Sequence, residues 1–307
     1  MKRREFFIKS AVAGLGTAAY LKFGNNFDLF ANTKTAPDNI YDLVAIKGGE
    51  ADVMFNRAIN SLGGMKRFVK PNQTVVVKPN IGWDVSPERA GNTNPKLVKQ
   101  IVKECFDAGA KDVYVFDNTC DNWTKCYKNS GIENAVKEAK GKLVSGANES
   151  YYQEIAIPNG KRLKEAKVHE LVLNSDVFIN VPILKNHGGA KLTVAMKNLM
   201  GVVLDRGYWH RNDLHQCIAD YATLRQPDLN VVDAYYVMKR NGPRGVSEAD
   251  VVTMKSQLIS TDMVAVDAAA AKLFGFDPND IDHIVYANQM NVGTMDLTKL
   301  KIDRISL

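Results

Sequence analysis

Four cysteines in 307 residues, with no two in a CxxC pair, leave this chain without the ligand spacing of a zinc ribbon or an iron–sulfur cluster. Charge of one sign is also scarce. The formal net charge is +6, but the first 31 residues hold five basic side chains (Lys2, Arg3, Arg4, Lys9, Lys22) against Glu5 and Asp28, so only +3 belongs to the rest. That excess is too small to argue for a nucleic-acid partner. No basic stretch interleaved with aromatics suits single-stranded RNA or DNA. Neither a Walker GxxxxGK loop nor a GxGxxG turn after a strand occurs, so two common nucleotide fingerprints are missing. Internal repeats and low-complexity tracts are absent too.

What is present suffices for a core. Hydrophobic residues make up 45% and charged residues 24%, the balance of a globular chain of one large or two small domains. The N-terminus reads "KRREFFIKSAVAGLGTAAY": paired arginines, two phenylalanines, then a Gly/Ala-rich run without an acidic residue from 6 to 27. This is the pattern of a twin-arginine export signal over residues 1–31. It implies the twin-arginine translocase as a partner during export and a periplasmic place, free or tethered at the outer side of the inner membrane. The run is short and glycine-rich for a membrane span. Ala18 and Ala31 are candidate cleavage points, with an uncleaved anchor as the alternative. Residues 32–40 read as a polar linker.

From 41 to 307 the chain reads as a single α/β domain. Short β-branched runs ("YDLVAIK", "QTVVVKPN", "KDVYVFD", "DVFINVPIL", "LNVVDAYY", "MKSQLIS") alternate with amphipathic helical stretches. Asn94 followed by Pro95, and Thr261 or Asp262, mark helix starts. The alternation predicts a mainly parallel or mixed sheet with helices on both faces, Rossmann-like, with a small hairpin-rich insertion near 146–172. Cys105 and Cys217 fall on apolar helix faces and read as core. Cys120 and Cys126 flank a loop, where they either pair as a disulfide outside the cytoplasm or stay free thiols.

The unusual polar residues share a place. Lys78 and Asn80 end one strand, Asp117 another, Lys185 and His187 a third, and Asp233 a fourth. In an open α/β sheet such ends form one edge, where ligands bind. "KNHGGAK" joins a strand to the run "LTVAMKNLMGVV", read as a helix starting near Lys191 to Thr193. Gly188 and Gly189 would let backbone approach a ligand, and the helix N-terminus would favour an anion. Thr193 and Lys197 would share one helical face, beside Asn198. Lys197, set among apolar residues, needs a partner or a ligand. Arg244, at the tip of a Gly-Pro-Arg-Gly turn, suits a bidentate carboxylate or phosphate contact. Cofactor or ligand binding is therefore assigned to Lys78, Asn80, Lys185, Gly188, Gly189, Thr193, Lys197, Asn198 and Arg244. Acid or base chemistry is assigned to His187, His215, Asp117 and Asp233. His210 and His215 are five apart and lack metal-ligand spacing along a helix, so no residue is assigned to a metal. His169 and His283 read as structural, and Asp267 as the partner of a lysine.

The stretches "VVVKPN", "NTNPKLV", "VFINVPILKNHGGAKLTVAMKNLMGVV", "LHQCIADY", "VVDAYYVMKRNGPRG" and "MVAVDAAAAKLFGFDP" occur in this order. Together they resemble the family catalogued as domain of unknown function number 362, from about residue 41 to 303. Some members of that family carry a twin-arginine signal, and others are fused to ferredoxin-type iron–sulfur domains, which this chain lacks. Asn94 stands where the family often has a histidine. The resemblance implies no particular reaction and leaves the cofactor unknown. The leading expectation is an exported protein that binds an anionic small molecule or organic cofactor at its strand ends, with acid/base catalysis as an added capacity. The alternatives are a redox enzyme or accessory protein working with a separate iron–sulfur protein, a metal-dependent hydrolase, and a non-catalytic envelope binding protein.

Overall fold

The computed structural model describes residues 29–30 and 40–307. The export signal and linker read from the sequence lie outside these, apart from Leu29, Phe30 and Ile40. In chain order the elements are β1 (Leu43–Lys47), α1 (Ala51–Ser61), β2 (Thr74–Pro79), α2 (Pro95–Asp107) and β3 (Asp112–Val115). Then come α3 (Trp123–Asn129), α4 (Ile132–Glu138), β4 (Lys142–Leu143), β5 (Tyr152–Ala156), β6 (Glu165–His169) and α5 (Glu170–Asn174). After these follow β7 (Val177–Val181), β8 (Ile183–His187), β9 (Lys191–Thr193), α6 (Ala195–Asn198), α7 (Gly207–Arg211) and α8 (Leu214–Ala222). The chain ends with β10 (Leu229–Met238), β11 (Val251–Ser260), α9 (Met263–Phe274), α10 (Asp282–Gln289) and β12 (Ile302–Ser306).

One sheet carries the fold, in the order β12-β1-β11-β10-β7-β2-β3-β4, with β8 and β9 attached beside β10. The β10, β7, β2, β3 and β4 neighbours are parallel. Antiparallel pairing of β11 with both β1 and β10 makes the sheet mixed. The expected hairpin insertion is the antiparallel pair β5–β6, a separate two-stranded sheet.

The valine-rich strands follow from burial on both faces. Within β2, Val75 and Val77 pack into the core under α1, α2 and α4, while Val76 packs into the opposite core under α8, α9 and α10. Each such side chain, buried completely, contributes roughly 1.5–3 kcal/mol. Asn94 and Asp262 cap α2 and α9 through their side chains, as the sequence indicated.

Two expectations change here, and one open alternative closes. "DVFINVPIL" is not one strand: it breaks at Pro182 into β7 and β8, and the Pro182 carbonyl accepts the Asp233 N–H at 2.8 Å. "KNHGGAK" does not join a strand to a helix. It is the turn of the hairpin β8–β9, with Lys185 opposite Thr193 and His187 opposite Lys191. The helix α6 starts only at Ala195. Finally, Cys120 and Cys126 are free thiols, one exposed and one buried.

Candidate functional site

Strand periodicity turns a row of polar side chains to one face. Lys78 lies two residues beyond Val76 and so shares its side of the sheet. Asn180 stands opposite Lys78 in register, and Asn230 opposite Asn180. The row is closed by hydrogen bonds beneath α6. Asn180 Nδ2 donates to Asn230 Oδ1 and to the Ala195 carbonyl, both at 3.0 Å. Asn198 Nδ2 donates to Asn180 Oδ1 at 2.9 Å. Asn198 Oδ1 accepts from Lys78 Nζ at 2.8 Å and from Asn80 Nδ2 at 3.2 Å. The network satisfies groups that burial would otherwise penalise.

Its charged end is a buried ion pair. Lys78 Nζ lies 2.9 Å from Asp117 Oδ1, and both side chains are almost wholly buried. Asp117 Oδ2 accepts the Ile81 N–H at 2.6 Å, and the Asp117 N–H donates to Tyr127 Oη at 2.7 Å. Burial lowers the Lys78 pKa, and Asp117 opposes that shift. Gly201 presses on the pair: a Cβ there would stand 1.9 Å from Asp117 Oδ1 and 2.6 Å from Lys78 Nζ.

Beside the pair opens a cavity of about 370 Å³, within the range of small-ligand sites. It lies past the carboxyl ends of β2 and β3 and is walled by the β8–β9 hairpin, α6 and α7. Lys185 enters it buried, donating to the Gly91 carbonyl at 2.6 Å and to Asn80 Oδ1 at 3.2 Å. Burial lowers its pKa to about 7, and Lys197 adds to the effect. Lys197 falls to about 8 for the same first reason, with Arg206 and Lys78 as further cationic neighbours. Arg206 is anchored by its guanidinium to the backbone carbonyls of Asn118, at 2.5 Å, and Thr119.

His187 Nδ1 accepts the backbone N–H groups of Gly189 (3.1 Å) and Ala190 (3.0 Å), so the ring proton resides on Nε2. Burial, then Lys197 and His210, depress its pKa to about 3; it is a neutral donor at physiological pH. His210 of α7 stacks on it, with ring centroids 6.0 Å apart. Thr193 completes the wall. Its Oγ1 is buried and has no hydrogen-bond partner among the described residues.

The structure thus brings Lys78, Asn80, Asp117, Lys185, His187, Thr193, Lys197 and Asn198 to one cavity. Asp233 is elsewhere. It lies in the middle of β10 because that strand runs on to Met238, and its carboxylate accepts the N–H groups of Asn94 (2.7 Å) and Tyr235 (3.0 Å). It ties α2 to the sheet, and burial raises its pKa to about 6. His215 is engaged away from the cavity wall, its Nδ1 3.1 Å from Nδ1 of His283 and accepting the His283 backbone N–H. Gly188 and Gly189 sit exposed in the hairpin turn. Arg244 is exposed and reaches Asp121 at 3.5 Å, while its neighbour Pro243 touches the cavity. The α6 N-terminus is not open to a ligand. The Asp267 carboxylate accepts the Ala195 N–H at 2.7 Å and the Met196 N–H at 3.1 Å. Asp267 therefore pairs with backbone donors rather than with a lysine.

Arg206, His210, Gly201 and Cys120 line the cavity and were not assigned to it from sequence. The cluster "DRGYWHR" carried a signal for the first two, but the short α7 that delivers them has no apolar periodicity to place it. Among the described residues no group of three His, Cys, Asp or Glu side chains could hold a metal ion.

Burial also sets how stability varies with pH. His187 (about 3), His169 (about 4), His210 and His283 have folded-state pKa values depressed from 6.5, first by desolvation. Their contribution is complete above about 6.5 and is lost as pH falls toward the folded values. Asp233 (about 6) and Asp267 (about 7) oppose this: raised from 3.8, they favour folding at low pH and lose that advantage as pH rises through 6–7. Four histidines outweigh two aspartates, and the depressed carboxylates of Asp250, Asp277 and Asp296 add to the loss in acid. The melting temperature is expected to fall between about pH 6.5 and 4. Thermal denaturation across that range checks it; a rise on acidification would mean that the two aspartates dominate.

An α/β protein with a polar, cation-rich cavity beyond the carboxyl ends of its parallel strands is the class that fold and site define. The chain belongs to the family described as Domain of unknown function (DUF362), matched over residues 75–272. It is 27% identical over 232 residues to the Thylakoid-associated protein sll1697 of Synechocystis sp., covering 73% of this chain and 70% of that protein. Among solved structures it is similar to the lactate racemase apoprotein from Thermoanaerobacterium thermosaccharolyticum, at TM-score 0.47 and 12% identity over 77% of this chain. A protein from Thermotoga maritima aligns at TM-score 0.47 and 10% identity over 73% of this chain. The alignments span 58% of the length of each of these two solved chains. No helix among the described residues is long and apolar enough to cross a membrane.

Proposed function

We propose that the cavity binds a small organic anion, a carboxylate or phosphate carried by a substrate or cofactor. One observation carries this reading. Among the described residues, Lys78, Lys185, Lys197 and Arg206 line the cavity with Asp117 as the only carboxylate, and Lys78 already pairs with it. Lys197 Nζ makes no hydrogen bond or ion pair among the described residues. Gathering unpaired cations out of water is costly, and an anion would offset that cost. His187 Nε2–H and Thr193 Oγ–H would then orient the anion as neutral donors. The cavity lining offers the lowered-pKa Lys185 for proton transfer, while His187, neutral and with Nδ1 engaged, serves only as a hydrogen-bond donor.

Replacing Lys185 and Lys197 together with alanine is expected to abolish binding of carboxylates and phosphates, measured by calorimetry. Lys197→Ala alone should weaken it at least about tenfold, the scale of one charge-assisted contact. It should leave the melting temperature unchanged or higher, because an unpaired cation is removed. Unchanged affinity in the double variant would sink the assignment. The metal-dependent reading gains no support among the described residues, where no group of three His, Cys, Asp or Glu side chains could hold an ion. Export rests on Arg3, Arg4 and the acid-free run that follows; replacing both arginines with lysine is expected to retain the protein in the cytoplasm, read by cell fractionation.

A further inference from the structure

We propose that Lys197 is an amine nucleophile that condenses with the carbonyl of an aldehyde or 2-oxo acid whose carboxylate is held by Thr193 and His187. The inference rests on the anion-binding reading above and adds a covalent step to it.

The cavity lysines are not equivalent. Lys78 is committed to Asp117 and Asn198, and Lys185 to Gly91 and Asn80. Lys197 has no such commitment among the described residues; the cations Lys78 and Arg206 crowd it, opposed by Cys120 and by Asp117, which is already paired, and burial outweighs both. A lysine that is desolvated and crowded by like charge surrenders its proton readily, which is how amine nucleophiles are activated. Its lowered pKa, about 8, agrees with that placement. Two neutral donors complete the subsite. Thr193 Oγ1 is buried and unpartnered among the described residues, so it is desolvated for nothing unless a ligand accepts from it. His187 is locked with Nδ1 as acceptor and Nε2 protonated. These donors can hold a carboxylate while leaving the Lys197 nitrogen free to attack.

The step balances without another reactant. The Nζ lone pair forms a bond to the carbonyl carbon, and the oxygen takes up one Nζ proton to give a carbinolamine. The C–O bond then breaks, and the oxygen leaves as water with the second Nζ proton. An imine remains.

Glyoxylate, the smallest aldehyde bearing a carboxylate, is the probe, with cyanoborohydride to reduce the imine to a stable secondary amine. The expected result is a single reduced adduct per chain, mapped to Lys197 by peptide mass spectrometry. Its rate of formation should rise with pH and level off above about 8, the value at which Lys197 loses its proton. Lys197→Arg should retain glyoxylate binding by calorimetry and lose the adduct, because a guanidinium preserves charge but forms no imine. Thr193→Val should weaken glyoxylate binding while an adduct still forms at saturation. A wild-type protein that binds glyoxylate and forms no adduct, or one whose adducts spread over surface lysines and persist in Lys197→Arg, overturns the covalent step and leaves anion binding standing. Failure to bind glyoxylate or any other carboxylate or phosphate overturns both.

Discussion

Alanine at position 201 is expected to destabilise the protein by about 3–5 kcal/mol, the cost of breaking a buried ion pair by displacing one member. The added Cβ would lie 1.9 Å from Asp117 Oδ1 and 2.6 Å from Lys78 Nζ, distances at which no non-bonded contact survives. Neither partner has room to withdraw. Asp117 is fixed by the Ile81 N–H and by Tyr127, and Lys78 by Asn198. One charge would be left buried without its counter-ion, or the backbone before α7 would move outward and carry Arg206 and His210 with it. Urea denaturation of Gly201→Ala beside Gly188→Ala measures the difference. Gly188 has no atom within 4 Å of a built Cβ, so its alanine variant should lie within about 0.5 kcal/mol of wild type. Equal midpoints for the two variants would show that the Lys78–Asp117 pair can part at no cost.

Asp267→Asn is the second large effect, about 2–4 kcal/mol of stability with a matching loss of anion binding. Asp267 is fully buried, and each carboxylate oxygen takes one backbone N–H of the first turn of α6. An asparagine has one acceptor and one donor at this place. Its amide NH₂ would face a backbone N–H, leaving a buried donor without a partner. The consequence reaches the cavity because α6 is only four residues long and carries both Lys197 and Asn198. Helices this short do not persist on propensity alone. Denaturation midpoints test the stability effect, and calorimetry with a saturating carboxylate tests the link to binding. A destabilised variant with wild-type affinity would separate Asp267 from the site.

Much of the sheet was legible because its strands are buried on both faces. Runs such as "TVVVKP" and "LVAIK" have few alternatives once helices flank them. Helix starts at Asn94 and Asp262 were legible because side-chain caps are local. Residues 183–198 were misread for a physical reason. In "LTVAMKN" the apolar spacing fits the end of a hairpin strand as well as the start of a helix. Only the pairing of Lys191–Thr193 with Lys185–His187 decides between them. Asp233 was misplaced because a strand end cannot be read from a run that stays apolar through Met238. Arg206, His210 and Cys120 were missed because each sits on a loop or short helix whose place depends on distant segments.

The sequence by itself determined the α/β class, the family and the hairpin insertion, since these follow from short-range patterns of burial and capping. Tertiary structure alone decided which cations are paired and which are left open. Lys78 found Asp117 from another strand, Lys185 found carbonyl and amide oxygens near α2, and Asp267 was drawn to the α6 amides. Pairing of buried charges is a competition among partners far apart in the chain, settled by distance and desolvation in the folded protein. It is that competition which leaves Lys197 without a partner among the described residues.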